Sequence, residues 1–404
     1  MECTPGTATP PTTPAFAMAP QSLLAAFAAV PDPRRQASID YPLAAVLALA
    51  VVAILARQLS LLAIAEWAAR QGEAVLAPLG FAVGRTPVQS TLQRLFARLD
   101  ADRLIDALSA YFQPGAAPDP QVRGGQGVAI DGKAQRGRLR FQAGGSLVHA
   151  LTAFCHEQGI VLAQEPIDST AEKAEAELSV APALLARVDW RGRVLTGDAL
   201  FCQRKLCRQV LDSGGDYLLV VRDNQPTLLA DLALLFDPPP TVPAAPLSDR
   251  READTLGRGH GRTDDRRNLI ASTDLNRYLD WPGVAQVFRL ERTWREKGQP
   301  KRQVHYGLTS LPPGLAPPAR LLALRRGHWQ IENRLHHTKD VTLGEDRSLT
   351  HAGSGPTVMA LLRDAALSLL RRAGHHAIAR QLRAHADHPL AALALVVAPH
   401  HAHA

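Results

Sequence analysis

Val128-Ala129-Ile130-Asp131-Gly132-Lys133 is an apolar run closed by a carboxylate, and Val194-Leu195-Thr196-Gly197-Asp198-Ala199 repeats the pattern further along the chain. Each reads as a short β-strand that delivers an acid at its end. A third acid, Glu332, stands in the helical stretch His328-Trp329-Gln330-Ile331-Glu332-Asn333. Carboxylates gathered from separate rigid elements can clamp two hard cations about 4 Å apart for in-line attack on a phosphodiester. Taken singly, each acid also has a plainer reading: Asp131-Gly132 as a hairpin turn, Asp198 as the cap of the next helix, Glu332 as one solvated helix residue.

The order of elements around these acids separates the readings. After the strand at Val128 to Ile130 come strand-like runs from Ser146 to Cys155 and from Ile160 to Gln164, turned by His156-Glu157-Gln158-Gly159. Helical spacing runs from Glu172 to Val188. Then come a strand from Arg193 to Gly197, a helix from Gln203 to Leu211 stopped by Ser213-Gly214-Gly215, a strand from Tyr217 to Val221 and a helix from Thr227 to Phe236. The order β-β-β-α-β-α-β-α is that of a ribonuclease H-like (retroviral integrase-like) α/β core. Its first and fourth strands lie side by side, so the sequence predicts that Asp131 and Asp198 meet.

Several longer stretches carry a family resemblance. Asp131-Gly132-Lys133 followed by Arg136-Gly137, the run from Gly214 to Gln225, His260-Gly261-Arg262, and His328-Trp329 with Ile331-Glu332-Asn333, Leu335 and His336 resemble the ISAs-type insertion-sequence transposases, also called H-repeat-associated proteins. The resemblance extends from about Pro31 to Val397. Arg222 stands where that family usually has Lys, and its Lys-Ser-Asn-Glu stretch is matched only loosely around Lys173 to Glu177.

The resemblance implies an Asp-Asp-Glu triad of Asp131, Asp198 and Glu332 holding two Mg²⁺ ions, with Mn²⁺ as a substitute. It implies DNA partners, namely transposon ends and a target, and a homodimer on DNA. Cutting without strand transfer, as by a ribonuclease H-like nuclease, is one alternative; a degenerate transposase that only binds DNA is another. Glu345-Asp346 is the rival for the third acid. On a regular helix, seven residues at about 100° each return to within roughly 20° of the start, aligning Arg325, Glu332 and Lys339 with His328 and His336 beside them. Related transposases place a Lys seven residues after the acidic Glu to touch DNA phosphate, so Lys339, Arg325 and His328 are expected at the DNA.

Composition agrees. The 404 residues carry a formal net charge of +7, nearly all of the positive charge being Arg, which suits a polyanionic partner and also reflects GC-rich coding. No CxxC pair or zinc spacing occurs among Cys3, Cys155, Cys202 and Cys207, which fits reduced thiols in a cytoplasmic protein. Residues 1–21 read as a disordered tail and 22–120 as a helical N-terminal domain. The core occupies 121–236, a β-rich insertion 237–312, the helix with the third acid 313–345, and closing helices 346–404, with Met359 to Leu370 amphipathic. The run Leu43 to Ala56 is too short to span a membrane and reads as a buried helix.

Thr86-Pro87 opens a further helix through Arg98, with a capping hydroxyl and Pro at its first position. Its Arg94 and Arg98 are candidates for DNA contact, and an amphipathic surface helix is the plainer reading. His260 and Arg262, with Arg266 and Arg267 nearby, are candidates for phosphate contact or charges on a strand edge. Trp281 and Trp294 suit either an unpaired base or the core.

Overall fold

The structure is a computed structural model that describes residues 22–35, 39–114, 117–118, 124–134, 149–167, 173–241, 246–259 and 262–399. The N-terminal residues read as a disordered tail lie outside these. Six helices come first: α1 (Leu23–Phe27), α2 (Leu43–Leu55), α3 (Leu61–Ala69), α4 (Glu73–Leu76), α5 (Gln89–Arg98) and α6 (Ala101–Phe112). Side-chain oxygens cap three of them, Ser22 for α1, Ser60 for α3 and Asp100 for α6, each accepting from a backbone N–H of the first turn. The α2 sequence is apolar on every side and is buried along its length, as the sequence predicts. Among the described residues no helix is long and apolar enough to cross a membrane.

A mixed nine-stranded sheet forms the centre of the α/β fold. Its strands are β1 (Gln126–Ala134), β2 (His149–Cys155), β3 (Val161–Ile167), β4 (Arg193–Gly197), β5 (Asp216–Val221), β6 (Arg251–Gly259), β7 (Arg262–Ser272), β8 (Gln286–Glu296) and β9 (Gln299–Thr309), in the order β3-β2-β1-β4-β5-β9-β8-β7-β6. β1 pairs antiparallel with β2 and parallel with β4, and β4 pairs parallel with β5. Between strands run α7 (Lys173–Ala186), α8 (Arg204–Asp212) and α9 (Pro226–Phe236). The expected elements of this segment are all present among the described residues; Ser146 to Val148 of the second expected strand and Glu172 of the expected helix lie outside them.

The chain between α9 and residue 312 extends this same sheet. β9 joins the free edge of β5, and β8, β7 and β6 follow as an antiparallel meander. Both β8 and β9 reach well beyond their apolar halves. In the charged halves, Glu291 pairs with Arg289 and Arg302, and Asp265 pairs with Arg267 and Arg292.

The chain returns through α10 (Pro318–His328), a π-helical turn (Ile331–His336) and α11 (His337–Val341), and finishes with α12 (Gly355–Arg372), α13 (Ile378–Asp387) and α14 (Pro389–Val397). α10 crosses the sheet, packing on β1, β4, β5, β6 and β7, over a core that includes Val194, Leu218, Phe288, Leu321 and Leu324. The expectation that Met359 to Leu370 is amphipathic is corrected. α12 is buried on nearly every face because it lies between β3 and the helices α2, α5 and α6.

Close approach of α10 to the sheet depends on two glycines. The His156 ring lies between Gly127 of β1 and Gly327 of α10, and a Cβ at either position would fall 2.1 or 2.3 Å from its Nδ1. Arg334 and Arg371 fasten the same hairpin, donating to the carbonyls of His156 (3.0 Å) and Gly159 (2.9 Å). Gly327→Ala is therefore expected to lower unfolding stability by about 1–3 kcal/mol through overpacking. In urea titrations, combining it with His156→Ala should cost less than the sum of the two single changes; strict additivity would remove this contact as the limit on helix approach.

Candidate metal centre on the central sheet

Parallel pairing of β1 with β4 sets Ala129 opposite Thr196, and each strand places an aspartate two residues further on, Asp131 and Asp198. Period-two alternation then turns both side chains to the same face of the sheet at the same level. Asp131 does not end its strand, as the sequence suggested. β1 continues through Ala134 along β2, with Asp131 opposite Thr152, which also removes the hairpin-turn reading of Asp131-Gly132. Asp198 precedes a 3-10 turn at Ala199–Phe201 but makes no side-chain capping bond to it.

Glu332 arrives from the returning helix. His336 Nδ1 lies 3.1 Å from Glu332 Oε2 and 3.5 Å from Asp131 Oδ2. One donor atom each from Asp131, Glu332 and His336 lie within 4.8 Å of one another, a spacing one cation can span. Two carboxylate oxygens with one imidazole nitrogen form a donor set for a divalent cation. The two aspartates are tuned apart. Burial pushes the Asp131 carboxyl above its ordinary pKa, against the nearby His336 and His328, while the charges of Asp198 and Glu177 push the same way as burial. Asp198 is pulled down to about 2, first by its hydrogen bond with His328 and then by the charges of His328, Arg325 and Arg222. A hydrogen bond from His336 holds Glu332 below the usual carboxylate range, helped by the charges of His336 and Lys133.

A buried polar chain supports Asp198. His328 Nε2 lies 3.5 Å from its Oδ1, and His328 Nδ1 lies 3.5 Å from Thr196 Oγ1. The Thr196 hydroxyl donates to the Val128 carbonyl and stands 2.9 Å from His156 Nε2. With the hydroxyl proton so used, His156 supplies the proton of that last contact. Burial lowers the His156 pKa well below its ordinary value, keeping the ring neutral.

The returning helix is not regular. The His337 N–H bonds to the Glu332 carbonyl, five residues back, which admits an extra residue into the turn. The segment beyond this turn is rotated by roughly 100° relative to a continuous α-helix. This corrects the expected alignment of Arg325, Glu332 and Lys339. Lys339 turns inward, 2.9 Å from Asp364 Oδ2 and 3.2 Å from Glu345 Oε1, and all three side chains are buried. It offers no charge to a phosphate at the surface. Glu345, the rival for the third acid, is committed to this network, and Arg363 adds a second cation 3.9 Å from it.

Other expected contacts divide. His328 and Arg325 are buried rather than presented to DNA, because the charge of Asp198 and the packing of α10 on the sheet draw them inward; the Arg325 guanidinium lies 5.7 Å from the Trp329 ring. Arg94 and Arg98 are exposed on α5, whose Leu92, Leu95 and Phe96 face the core. That helix starts at Gln89, with Val88 at its cap position and no side-chain cap, so Thr86 and Pro87 do not open it. His260 and the side chain of Arg262 lie outside the described residues. Trp281 is buried and Trp294 lies under the Arg292 guanidinium, whereas Trp329, beside His328, is 55% exposed. The sequence reading gave no role to His156, Thr196, or Lys133, which bridges to Asp340 at 2.6 Å across the site. The Asp-Gly-Lys motif was the available signal for the last of these.

The α/β sheet thus brings Asp131 of β1 and Asp198, just after β4, together beneath the helix that carries Glu332. Residues 123–370 match the family described as Transposase DDE domain, and residues 24–112 match the region described as DDE_Tnp_1-associated. The chain belongs to the DDE transposase family. Among relatives, "Putative transposase YncI" of Escherichia coli O157:H7 is 26% identical over 361 residues, covering 88% of each chain. "H repeat-associated putative transposase YhhI" of Escherichia coli (strain K12) is 25% identical, covering 70% of this chain and 73% of that one. A piggyBac transposase synaptic complex with hairpin DNA has a TM-score of 0.44 and 10% identity, covering 89% of this chain and 74% of that one, a likeness that carries no argument.

Burial of Lys339 gives a prediction opposite to that of a phosphate contact. Lys339→Ala leaves Glu345 and Asp364 buried without their shared cation and is expected to cost about 3–5 kcal/mol in urea unfolding. Unchanged stability, with the slope of log affinity for DNA against log salt reduced by about one unit, would instead restore the phosphate role.

Proposed function

We propose that the protein is a DNA transposase that cuts insertion-sequence ends and joins them to target DNA at one site on a ribonuclease H-like core. The observation that carries this reading is the register of β1 and β4, which sets Asp131 and Asp198 level beneath the helix that brings Glu332. Asp131, Asp198 and Glu332 are the residues that would hold two Mg²⁺ ions, with Mn²⁺ as a substitute. When bound, such ions supply activation of the attacking oxygen and charge neutralisation at the leaving oxygen.

The chain's own residues have distinct parts in this reading. His328 orients Asp198 and keeps it ionised, ready for a cation. Lys133, tied to Asp340, fixes the strand that carries Asp131 against the helix that carries Glu332. Arg94 and Arg98, exposed on α5, are proposed contacts to DNA. His260 and Arg262 keep that role as proposals, and the DNA-bound form is proposed to be a homodimer.

Asp131→Asn, Asp198→Asn and Glu332→Gln keep side-chain shape and remove the charge that a hard cation requires. Each is expected to reduce Mg²⁺-dependent cleavage of a DNA end below about 1% of wild type. Circular dichroism and DNA binding should stay unchanged. Two variants cutting at the wild-type rate would overturn the triad. Cut ends without joined product from the wild-type protein would reduce the activity to that of a nuclease.

A further inference from the structure

Beside the carboxylate triad stands one imidazole that faces two of its acids. His336 is 5% exposed in its side chain and lies one turn beyond Glu332, its Nδ1 directed at both Glu332 and Asp131. Its Nε2 is buried without a hydrogen-bond partner among the described residues. The polar engagement of the ring is therefore on the cluster side.

We propose that His336 is itself a metal ligand, binding through Nδ1 to the cation shared by Asp131 and Glu332, so that this position favours Mn²⁺ over Mg²⁺. The proposal rests on the reading of these acids as a metal centre and adds a nitrogen donor to it. Metal–ligand bonds of about 2.1 Å separated by angles between octahedral and tetrahedral put donor atoms about 3.0–3.4 Å apart. Of the Nδ1 distances, 3.1 Å to Glu332 falls in this span and 3.5 Å to Asp131 stands just above it, close enough for a shared ion to draw in. A hydrogen bond to Glu332 accounts for the shorter distance alone. It leaves unexplained why the same nitrogen also stands within reach of Asp131 on another element.

Coordination through Nδ1 places the ring proton on Nε2, where no acceptor meets it among the described residues. That unpartnered N–H limits the affinity the imidazole adds. Imidazole suits transition ions, whereas Mg²⁺ prefers an all-oxygen shell, so the limited gain falls on Mn²⁺ and little of it on Mg²⁺.

The test uses the full-length protein with Mn²⁺ alone. Pulsed electron paramagnetic resonance of the bound Mn²⁺ should show coupling to an imidazole ¹⁴N that is lost in His336→Gln, with Mn²⁺ affinity about tenfold weaker. Mg²⁺ affinity, read by competition, should move by less than about threefold. Mn²⁺ held without a nitrogen signal, or with the same signal in His336→Gln, overturns the assignment and leaves the carboxylate site standing. Failure of Mn²⁺ to bind in a way that Glu332→Gln abolishes would overturn the metal-centre reading instead. Should His336→Gln not fold, loss of the nitrogen signal together with the ion in Glu332→Gln supports the proposal, and persistence of that signal sinks it.

Discussion

The parallel pairing of β1 with β4 is the constraint on which the site depends. Because side chains alternate along a strand, a shift of one residue in that pairing would send one aspartate to the opposite face. The register is held from both sides: β2 pairs with β1 from Val128 to Ala134, and β5 holds the other edge of β4. Burial of Val128, Ile130, Val194 and Leu195 makes any slip expensive, since it would expose apolar surface and bury the acids. Asp131 is already raised by burial, and its position near two histidines offsets part of that penalty.

The third acid depends on a different set of contacts. Glu332 is carried over the sheet by a helix whose approach is fixed where Gly327 meets the His156 ring, and whose far end is anchored where Lys339 meets Glu345 and Asp364. Between the two, the π turn directs Glu332 and His336 toward Asp131, and Lys339 toward the buried ion pairs. Asp364 also accepts from Gln164 of β3, and Arg363, its neighbour on α12, donates to the Leu59 carbonyl among the N-terminal helices. The acidic helix, the sheet and the N-terminal helices are thus joined through one buried polar network, which ties the position of Glu332 to regions far from it in sequence.

Much of the core was legible because its signals are local. Strand β4 reads at its observed limits, Arg193 to Gly197, since apolar residues and a following Gly-Asp bound it on both sides. The buried helix at Leu43 to Leu55 is equally plain from its lack of charge. The charged halves of β8 and β9 are not legible as strands, because their residues pair across strands, as Arg302 does with Glu291, and no single-strand pattern records a cross-strand partner. The inward turn of Lys339 was missed for a related reason. A helix read at 3.6 residues per turn cannot reveal a π turn, which tertiary packing selects. His156, Thr196 and His328 form a chain across three elements, and only the fold brings them together.

That Asp131, Asp198 and Glu332 form one divalent-metal centre is tested most directly by a crystal of the protein equilibrated with Mn²⁺ and read by anomalous scattering at the manganese edge. A shared centre predicts anomalous density among the carboxylates of Asp131, Asp198 and Glu332. Density absent there, or found on Asp346 or another acid away from these three, would contradict it.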